Sequence, residues 1–303
     1  MHDVQKHKKQ ISFHYDVSND FYRIWLDRKM VYSCAYFERG DESIDEAQLN
    51  KLDLICRKLQ LVPGEKFLDV GCGWGGLIIH AAKNYGVYAK GITLSMEQFD
   101  LADELIKREG LGSRCEVSLQ DYRELDEESY YDKVASVGMF EHVGIKNLPL
   151  FFGAVKKVLK EKGLFLNHGI TKKEKWQSRD PSSEFLDKYI FPGGELDQLG
   201  HVLQVMEDNS LEILDVENLR THYAKTLRLW VGRLQRRKKE ALRFVDEETY
   251  RKWIIYMAAS ALSFEEGNIS VFQMLGSKQT RAGLSRMPLT RAYIYENEMI
   301  RIF

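Results

Sequence analysis

The fold turns on residues 67–77, FLDVGCGWGGL. A short apolar strand at 66–70 runs into a turn dense in glycine, after which Leu77, Ile78, Ala81 and Ala82 recur at helical spacing. Glycine lets the backbone bend tightly and pass close to a ligand, and the helix that follows offers unpaired N–H groups. In open α/β sheets such strand–turn–helix units hold nucleotides outside the carboxyl ends of the strands. Gly71, Gly73 and Gly76 fit GxGxxG, which suggests a dinucleotide. Two features oppose that. Asp69 lies inside the strand end, where a dinucleotide site prefers an apolar residue. The acid expected about twenty residues further on is also missing, since that region reads Lys90-Gly-Ile-Thr-Leu-Ser95.

The 303 residues are 44% hydrophobic and 29% charged, enough apolar material for one large core and a smaller appendage. A net charge of -1 gives no overall bias toward nucleic acid or membrane, so any such preference must sit in a local patch. Cys34, Cys56, Cys72 and Cys115 are widely spaced with no CxxC pair, which removes zinc-ligand spacing, and no metal is expected. No leader pattern or long apolar run is present, which predicts a soluble, intracellular protein with free thiols.

From Pro63 onward the pattern alternates between strand and helix, as in a parallel α/β sheet. Strands are expected at 66–70, 87–93, 115–119, 133–138, 163–170, 213–216 and 269–276. Helices are expected between them at 76–85, 95–109, 148–159 and 198–209, with Ser95 and Gln98 as a capping pair. Upstream, 21–26 and 44–59 read as helices, the second with Leu49, Leu52 and Ile55 or Cys56 on one face. Between them, Val31-Tyr-Ser-Cys-Ala-Tyr-Phe37 is too short and mixed for a regular core element. Spacing alone makes Cys34 a small buried hydrophobe. The architecture implied is α/β: a seven-stranded, mostly parallel sheet with helices on both faces and a helical cap. The cap segment is 1–60 and the sheet domain 61–303, with insertions at about 171–197 and 221–266.

Candidate chemistry clusters at the strand ends. Asp121-Tyr122 follows the third strand, where an adenine would reach, although Asp121 reads equally well as an ordinary cap. The fourth strand ends in Met139-Phe-Glu-His142, which puts Glu141 at the presenting edge. His168 ends the fifth strand there, either as a hydrogen-bonded core residue or as a functional one. Residues 221–243 read as a helix carrying Arg228, Arg233, Arg236, Arg237, Lys238, Lys239 and Arg243 opposite Leu227, Trp230, Val231 and Leu234. Most such runs are solvated faces; one sign of charge also suits phosphate headgroups. The same alternatives hold for Lys6, His7, Lys8 and Lys9. Residues 253–264 read as another helix, and the tail from Lys278 takes no assignment.

Taken in order, YSCAYF (32–37), LDVGCGWGG (68–76), GITLS (91–95), FEHVG (140–144), FPGG (191–194) and HYAKTLRLW (222–230) resemble the cyclopropane fatty acid synthases. This S-adenosylmethionine (SAM) dependent, lipid-modifying group includes the mycolic acid cyclopropane synthases. The likeness spans about His14 to Leu275. Asp69-x-Gly71-x-Gly73 is similar to the first motif of SAM-dependent methyltransferases generally, while YSCAYF and HYxxTLxxW are far more specific. The chain opens almost directly on HYDVSNDFY, as in the shorter members that lack an extra N-terminal lipid-binding domain.

The resemblance implies a class I, Rossmann-like methyltransferase whose two insertions form an apolar acyl tunnel. SAM would lie over Asp69, Gly71 and Gly73, with Tyr32 and Ser33 adding contacts. Thr93, Leu94, Ser95 and Gln98 would recognise ribose and methionine, and Tyr122 and Arg123 would flank the adenine. Bicarbonate would be the general base, cradled by Cys34 through its backbone, Glu141, His168, the backbone of Ile170, and Tyr223. An alkene is a poor nucleophile with no proton to lose, so its attack on the sulfonium methyl leaves a cation on the lipid. Aromatic rings could steady that cation until a base removes a proton and the ring closes. No cysteine follows Cys115, so a mechanism needing a late thiol is excluded. The implied substrate is a cis-unsaturated acyl chain of membrane phospholipid. The enzyme would be cytoplasmic and peripheral on the inner, anionic membrane face, with no nucleic-acid partner and dimerisation left open. Competing readings are methyl- or methylene-branched lipid products, a small-amine N-methyltransferase, an NAD-dependent oxidoreductase and a non-catalytic lipid-binding module.

Overall fold

The computed structural model describes residues 18–173, 195–280 and 287–295. Helix α1 (Asn19–Trp25) starts at Ser18, whose hydroxyl accepts from the amide of Phe21. Helix α2 (Ile44–Lys58) starts with a reciprocal capping box between Ser43 and Glu46. The alternating part follows: β1 (Lys66–Val70), α3 (Gly76–Tyr85), β2 (Tyr88–Thr93), α4 (Met96–Arg108), β3 (Cys115–Leu119), β4 (Tyr131–Val137), α5 (Leu148–Val158) and β5 (Leu159–Lys172). After α6 (Leu199–Asp208) and β6 (Leu211–Asn218) come α7 (Arg220–Arg236), the single turn α8 (Lys238–Ala241), α9 (Glu247–Glu266), β7 (Ile269–Lys278) and α10 (Ala292–Tyr295).

The strands form one seven-stranded sheet in the order β3-β2-β1-β4-β5-β7-β6. The first five are parallel, and β7 runs antiparallel to both β5 and β6. The mostly parallel seven-stranded sheet expected from sequence is therefore present. Strand order reverses between β1 and β4, which opens a crevice at their carboxyl ends. On one face Phe67, Ile78, Ala135 and Leu166 pack against Leu52, Ile55 and Cys56 of α2. On the other, Leu68, Val134 and Phe165 pack under Phe151 and Phe152 of α5 and Met206 of α6. A third cluster joins α1, α7 and α9 through Phe21, Trp25, Trp230, Trp253 and Met257. It reaches the glycine turn through Tyr22, whose ring lies 4.9 Å from that of Trp74.

Several boundaries differ from expectation for identifiable reasons. Strand β5 begins at Leu159 rather than 163, because Leu159 pairs with Tyr131 across a register shift. Lys162 takes φ 61° there, and a Cβ on Gly163 would lie 2.9 Å from the Asp132 carbonyl. The basic helix breaks at Arg237, whose guanidinium donates to the carbonyl of Ile24 at 2.7 Å and so covers the end of α1. Helix α9 starts at Glu247 instead of 253 because Asp246 caps it, accepting from the amide of Thr249 at 2.7 Å. On α2, Leu49 is 41% exposed, while Gln48 and Lys51 turn inward beside Leu52 and Ile55.

The tail gains a position. Arg291 reaches Asp215 of β6 at 3.1 Å, and the Gln60 amide lies 3.0 Å from the sulfur of Met287. Lys58, fully buried, joins the same cluster through Asp215 at 3.4 Å and Glu217 at 2.5 Å. The Lys6–Lys9 cluster, His14, the FPGG motif and most of the 171–197 insertion lie outside the described residues. Among the described residues no helix is long and apolar enough to cross a membrane.

Candidate active site

The crevice between β1 and β4 opens into a cleft of about 1130 Å³, counting the part open to solvent. Tyr32 and Ser33, Asp69, Gly71 and Gly73, Thr93, Leu94 and Gln98, and Tyr122 with Arg123 all border it. Gly71 takes φ 83°, and a Cβ there would lie 2.6 Å from the Met139 side chain. Gly73, at φ 55°, has nothing within 4 Å of its missing Cβ, so the turn leaves open space where a ligand can approach. Ser95 does not border the cleft; its hydroxyl accepts from the amide of Gln98 at 3.3 Å and caps α4. Thr93 donates to Gln98 Oε1 at 2.7 Å, which orients that amide and leaves its nitrogen for a ligand.

At the β3 end, Asp121 is both a cap and an anchor. It accepts from the Arg123 guanidinium at 2.9 Å and 2.7 Å, which fixes that plane beside Tyr122. At the β1 end, Asp69 is buried with Oδ1 unpartnered among the described residues. Burial pushes its carboxyl up to about 7, with the positive charge of Lys51 pulling the other way.

The loop carrying Tyr32, Ser33 and Cys34 is held from two sides. From α2, Gln48 donates to the carbonyls of Val31 at 3.2 Å and Ser33 at 2.8 Å, and Lys51 donates to the Ser33 hydroxyl at 2.9 Å. From α7, Thr226 accepts from the amide of Ala35 at 3.1 Å and His222 from that of Phe37 at 3.0 Å. YSCAYF and HYAKT, far apart in sequence, therefore form one unit. The Cys34 thiol is fully buried, donates to the carbonyls of Ala35 and Leu219, and is pushed well above its ordinary range by desolvation. It is protonated and unreactive, as spacing alone suggested.

Glu141 lies on a 3-10 turn just after β4. Its Oε1 accepts from the amide of Ile170 at 2.7 Å, while Oε2 is buried and unpartnered among the described residues. Desolvation outweighs the Ile170 hydrogen bond and pushes the carboxyl up to about 7. Gly169 permits this approach: a Cβ there would lie 1.9 Å from the Phe140 ring and 3.1 Å from Glu141 Oε1. His168 pairs in register with Gln273 of β7, whose amide donates to Nδ1 at 3.2 Å. The proton then sits on Nε2, which is buried with no partner among the described residues. Desolvation first, then the cations Lys51 and Lys58, hold the ring neutral. Tyr223 is buried, its ring 4.7 Å from Phe264, and the hydroxyls of Tyr32 and Tyr256 meet at 3.4 Å.

The structure thus joins Glu141 to Ile170, with His168 two residues back on the same strand, and places Tyr223 and Cys34 in the cap core against which Ile170 packs. None of these five borders the cleft itself; Met139, His142 and Val143, which flank Glu141, do. The Ile170 amide is committed to Glu141, so its part in any anion site runs through that carboxylate. Gln48, Lys51, Gln273 and Tyr256 are absent from the residues expected from sequence. Two polar residues on the apolar stripe of α2 were the available signal for Gln48 and Lys51; Gln273 needs the β5–β7 register.

The family model for mycolic acid cyclopropane synthetase matches residues 2–274. The chain belongs to that family. It is 45% identical over 97% of its length to a Pseudomonas putida protein named a probable fatty acid methyltransferase, covering 75% of it. It is 40% identical over 89% of its length to cyclopropane-fatty-acyl-phospholipid synthase of Escherichia coli K12, covering 68% of that enzyme. Among solved structures, mycolic acid cyclopropane synthase CmaA1 complexed with SAH and CTAB superposes with a TM-score of 0.86 at 36% identity, over 90% of this chain and 98% of the other. This member of the cyclopropane synthetase family accordingly has the class I, Rossmann-like fold of SAM-dependent methyltransferases.

Proposed function

We propose that the protein transfers a one-carbon unit from SAM across the cis double bond of an unsaturated acyl chain in membrane phospholipid, forming a cyclopropane, with bicarbonate as the base. The observation that carries this reading is a pair of buried atoms with no partner among the described residues, Glu141 Oε2 just past the end of β4 and His168 Nε2 on β5 level with that end. Each such group costs about 1–3 kcal/mol if left unpaired, so their coexistence beside a cofactor-sized cleft suits a small polar ligand. Bound there, bicarbonate would supply a base that cannot be trapped covalently as a protein carboxylate can. The neutral imidazole of His168 would donate from Nε2, and Tyr223 from its hydroxyl. Glu141, poised near neutrality, can accept or donate, with Ile170 fixing its angle. The backbone of Cys34 would complete the cradle.

The cleft fits SAM in the same sense. Asp69 offers an unpaired acceptor, Gly73 leaves room, and the Arg123 plane and Tyr122 ring stand at the far end. SAM supplies the electrophilic methyl. In the cap, the rings of Tyr22, Trp25, Tyr32, Trp230 and Trp253 form one cluster, Trp25 meeting Tyr32 and Trp230 edge-on and Tyr32 meeting Trp230 at a tilt, with centroids 5.4 to 5.5 Å apart. Their ring faces would lower the energy of positive charge on the acyl chain.

For the membrane contact, the basic run narrows. Arg228 pairs with Glu265, Arg233 with Asp45, Arg237 with Glu240 and Lys238 with Glu247. Arg236, Lys239 and Arg243 remain exposed with no ion pair among the described residues, beside the exposed Leu242 and Phe244. This corner, cationic with two apolar tips, suits an anionic bilayer surface. Changing the three cations together to Ala should weaken binding to anionic vesicles roughly a hundredfold at low salt, and the deficit should shrink as salt is raised. Equal binding by both proteins at low salt would remove this corner from the contact.

The function is tested with vesicles of cis-monounsaturated phospholipid and SAM carrying a labelled methyl group. The expected product gains one carbon, loses the alkene and is inert to mild hydrogenation. The name of the Pseudomonas putida relative favours a second outcome, a methyl- or methylene-branched chain; a product that still takes up hydrogen would select the methylene form. Unlabelled lipid would overturn both.

A further inference from the structure

The loop that carries Tyr32, Ser33 and Cys34 ends in three backbone amides that all donate to other elements. The Ala35 amide donates to the Thr226 hydroxyl of α7 at 3.1 Å, that of Tyr36 to the Ala47 carbonyl of α2 at 3.0 Å, and that of Phe37 to His222 Nδ1 of α7 at 3.0 Å. Thr226 gives its own proton to the His222 carbonyl at 2.7 Å, so the two α7 anchors act as one unit. The imidazole lies nearly parallel to two rings of the loop, 4.8 Å from Tyr36 at 17° and 6.2 Å from Phe37 at 16°. A hydroxyl and a carbonyl keep their lone pairs at any pH near neutrality. The imidazole does not. It accepts at Nδ1 only while its single proton sits on Nε2, and in the cation both ring nitrogens are donors.

We propose that His222 is a positioning residue for the 32–37 loop, a clip that holds the Phe37 amide while neutral and releases it on protonation. The cation would set two N–H groups against each other where one hydrogen bond had been. The surroundings keep the clip closed at neutral pH. Burial is the largest influence and holds the imidazole below its ordinary value; Lys225 of the same helix acts in the same direction, while Glu217 of β6 and Glu42, ahead of α2, oppose it. His222 also lies in the first turn of α7, where the helix dipole disfavours a cation. The clip therefore opens on the acid side of the ordinary imidazole value, about 6.5. Tyr32 and Ser33 border the cleft and Phe37 does not, so the clip acts on the cleft from behind. Its effect on cofactor binding rests on the SAM reading; the clip itself does not.

Amide hydrogen exchange, read by NMR and corrected for the intrinsic rate at each pH, tests the clip with the Ala35 amide as internal reference. In the unaltered protein the protection of Phe37 relative to Ala35 should fall about tenfold between about pH 7.5 and 5. His222→Asn puts an amide oxygen at the same distance along the side chain as Nδ1 and has no proton to gain. Its ratio should stay flat, near the unaltered value at neutral pH. His222→Phe keeps a ring to stack but has no acceptor, and its ratio should be low throughout. A flat ratio in the unaltered protein, an equal fall in the Asn variant, or full protection in the Phe variant each overturns the proposal. If neither variant folds, the unaltered protein still decides the first of these. Over the same range, S-adenosylhomocysteine should lose about three- to tenfold more affinity with the unaltered protein than with His222→Asn, read by calorimetry, because Asp69 titrates alike in both. Equal losses would overturn the positioning role. Failure of the unaltered protein to bind S-adenosylhomocysteine at neutral pH would instead refute the SAM reading and leave the exchange result standing.

Discussion

The two halves of the site are built on different principles. The cofactor half is local: a glycine turn, a helix cap and a 3-10 turn each place two or three adjacent residues on the cleft wall. Thr93 with Gln98 and Asp121 with Arg123 are already hydrogen-bonded there. The reaction half is assembled from the end of β4, the facing stretch of β5, the middle of β7, the 32–37 loop and α7, and Glu141 Oε2 and His168 Nε2 at its centre have no partner among the described residues. Recognition of a cofactor can be written into turns. The buried polar atoms proposed to hold a small anion are brought together only by the sheet order itself.

Breaking the reaction half should leave the cofactor half intact. Glu141→Gln and Tyr223→Phe should each lower single-turnover rates by about 10²–10⁴-fold while the S-adenosylhomocysteine dissociation constant stays within about twofold. Comparable losses in rate and affinity would mean that the two halves are one site.

Stability should move the other way. Glu141 is raised to about 7, above its ordinary carboxylate range, chiefly by desolvation. A group raised in the folded state contributes stability below its unfolded value and loses that contribution as the pH climbs through 7. Glu141→Gln should therefore match the unaltered protein near pH 4 and exceed it by up to about 3 kcal/mol at pH 8, read from urea unfolding at both pH values. A Gln variant less stable at pH 8 would show that the carboxylate is already paired there.

Gln273→Leu sharpens the contrast with the smallest effect. Losing the amide that fixes the His168 tautomer should slow turnover about five- to tenfold, with cofactor affinity unchanged. An unaffected rate would mean that some other group orients the imidazole.

The same contrast governs what the sequence discloses. Spacing alone implies the strand–turn–helix around Asp69 and the glycines and the Ser95–Gln98 cap, while Arg123 was legible only through the family resemblance. Counting strands puts Glu141 just past β4 and His168 at the end of the fifth strand, but β5 runs on to Lys172, and the approach of Glu141 to the Ile170 amide depends on Gly169 lacking a Cβ. Gln273 becomes visible only when β7 is known to lie beside β5. Lys51 is legible in hindsight as a cation at a buried helical position, and the apolar periodicity there instead favoured Leu49, which faces solvent. Which cations of the basic helix are paired is not legible in sequence, because partners such as Asp45 and Glu265 come from other elements.

Strand β7 is synthesised after β6 yet lies between β5 and β6. Until residues 269–278 have left the ribosome, both neighbours carry an unpaired edge and His168 lacks the Gln273 amide. A nascent chain can therefore complete its glycine turn, and a cofactor could dock, well before the imidazole is aimed. Under the proposed function, the base site waits for the strand that closes the sheet.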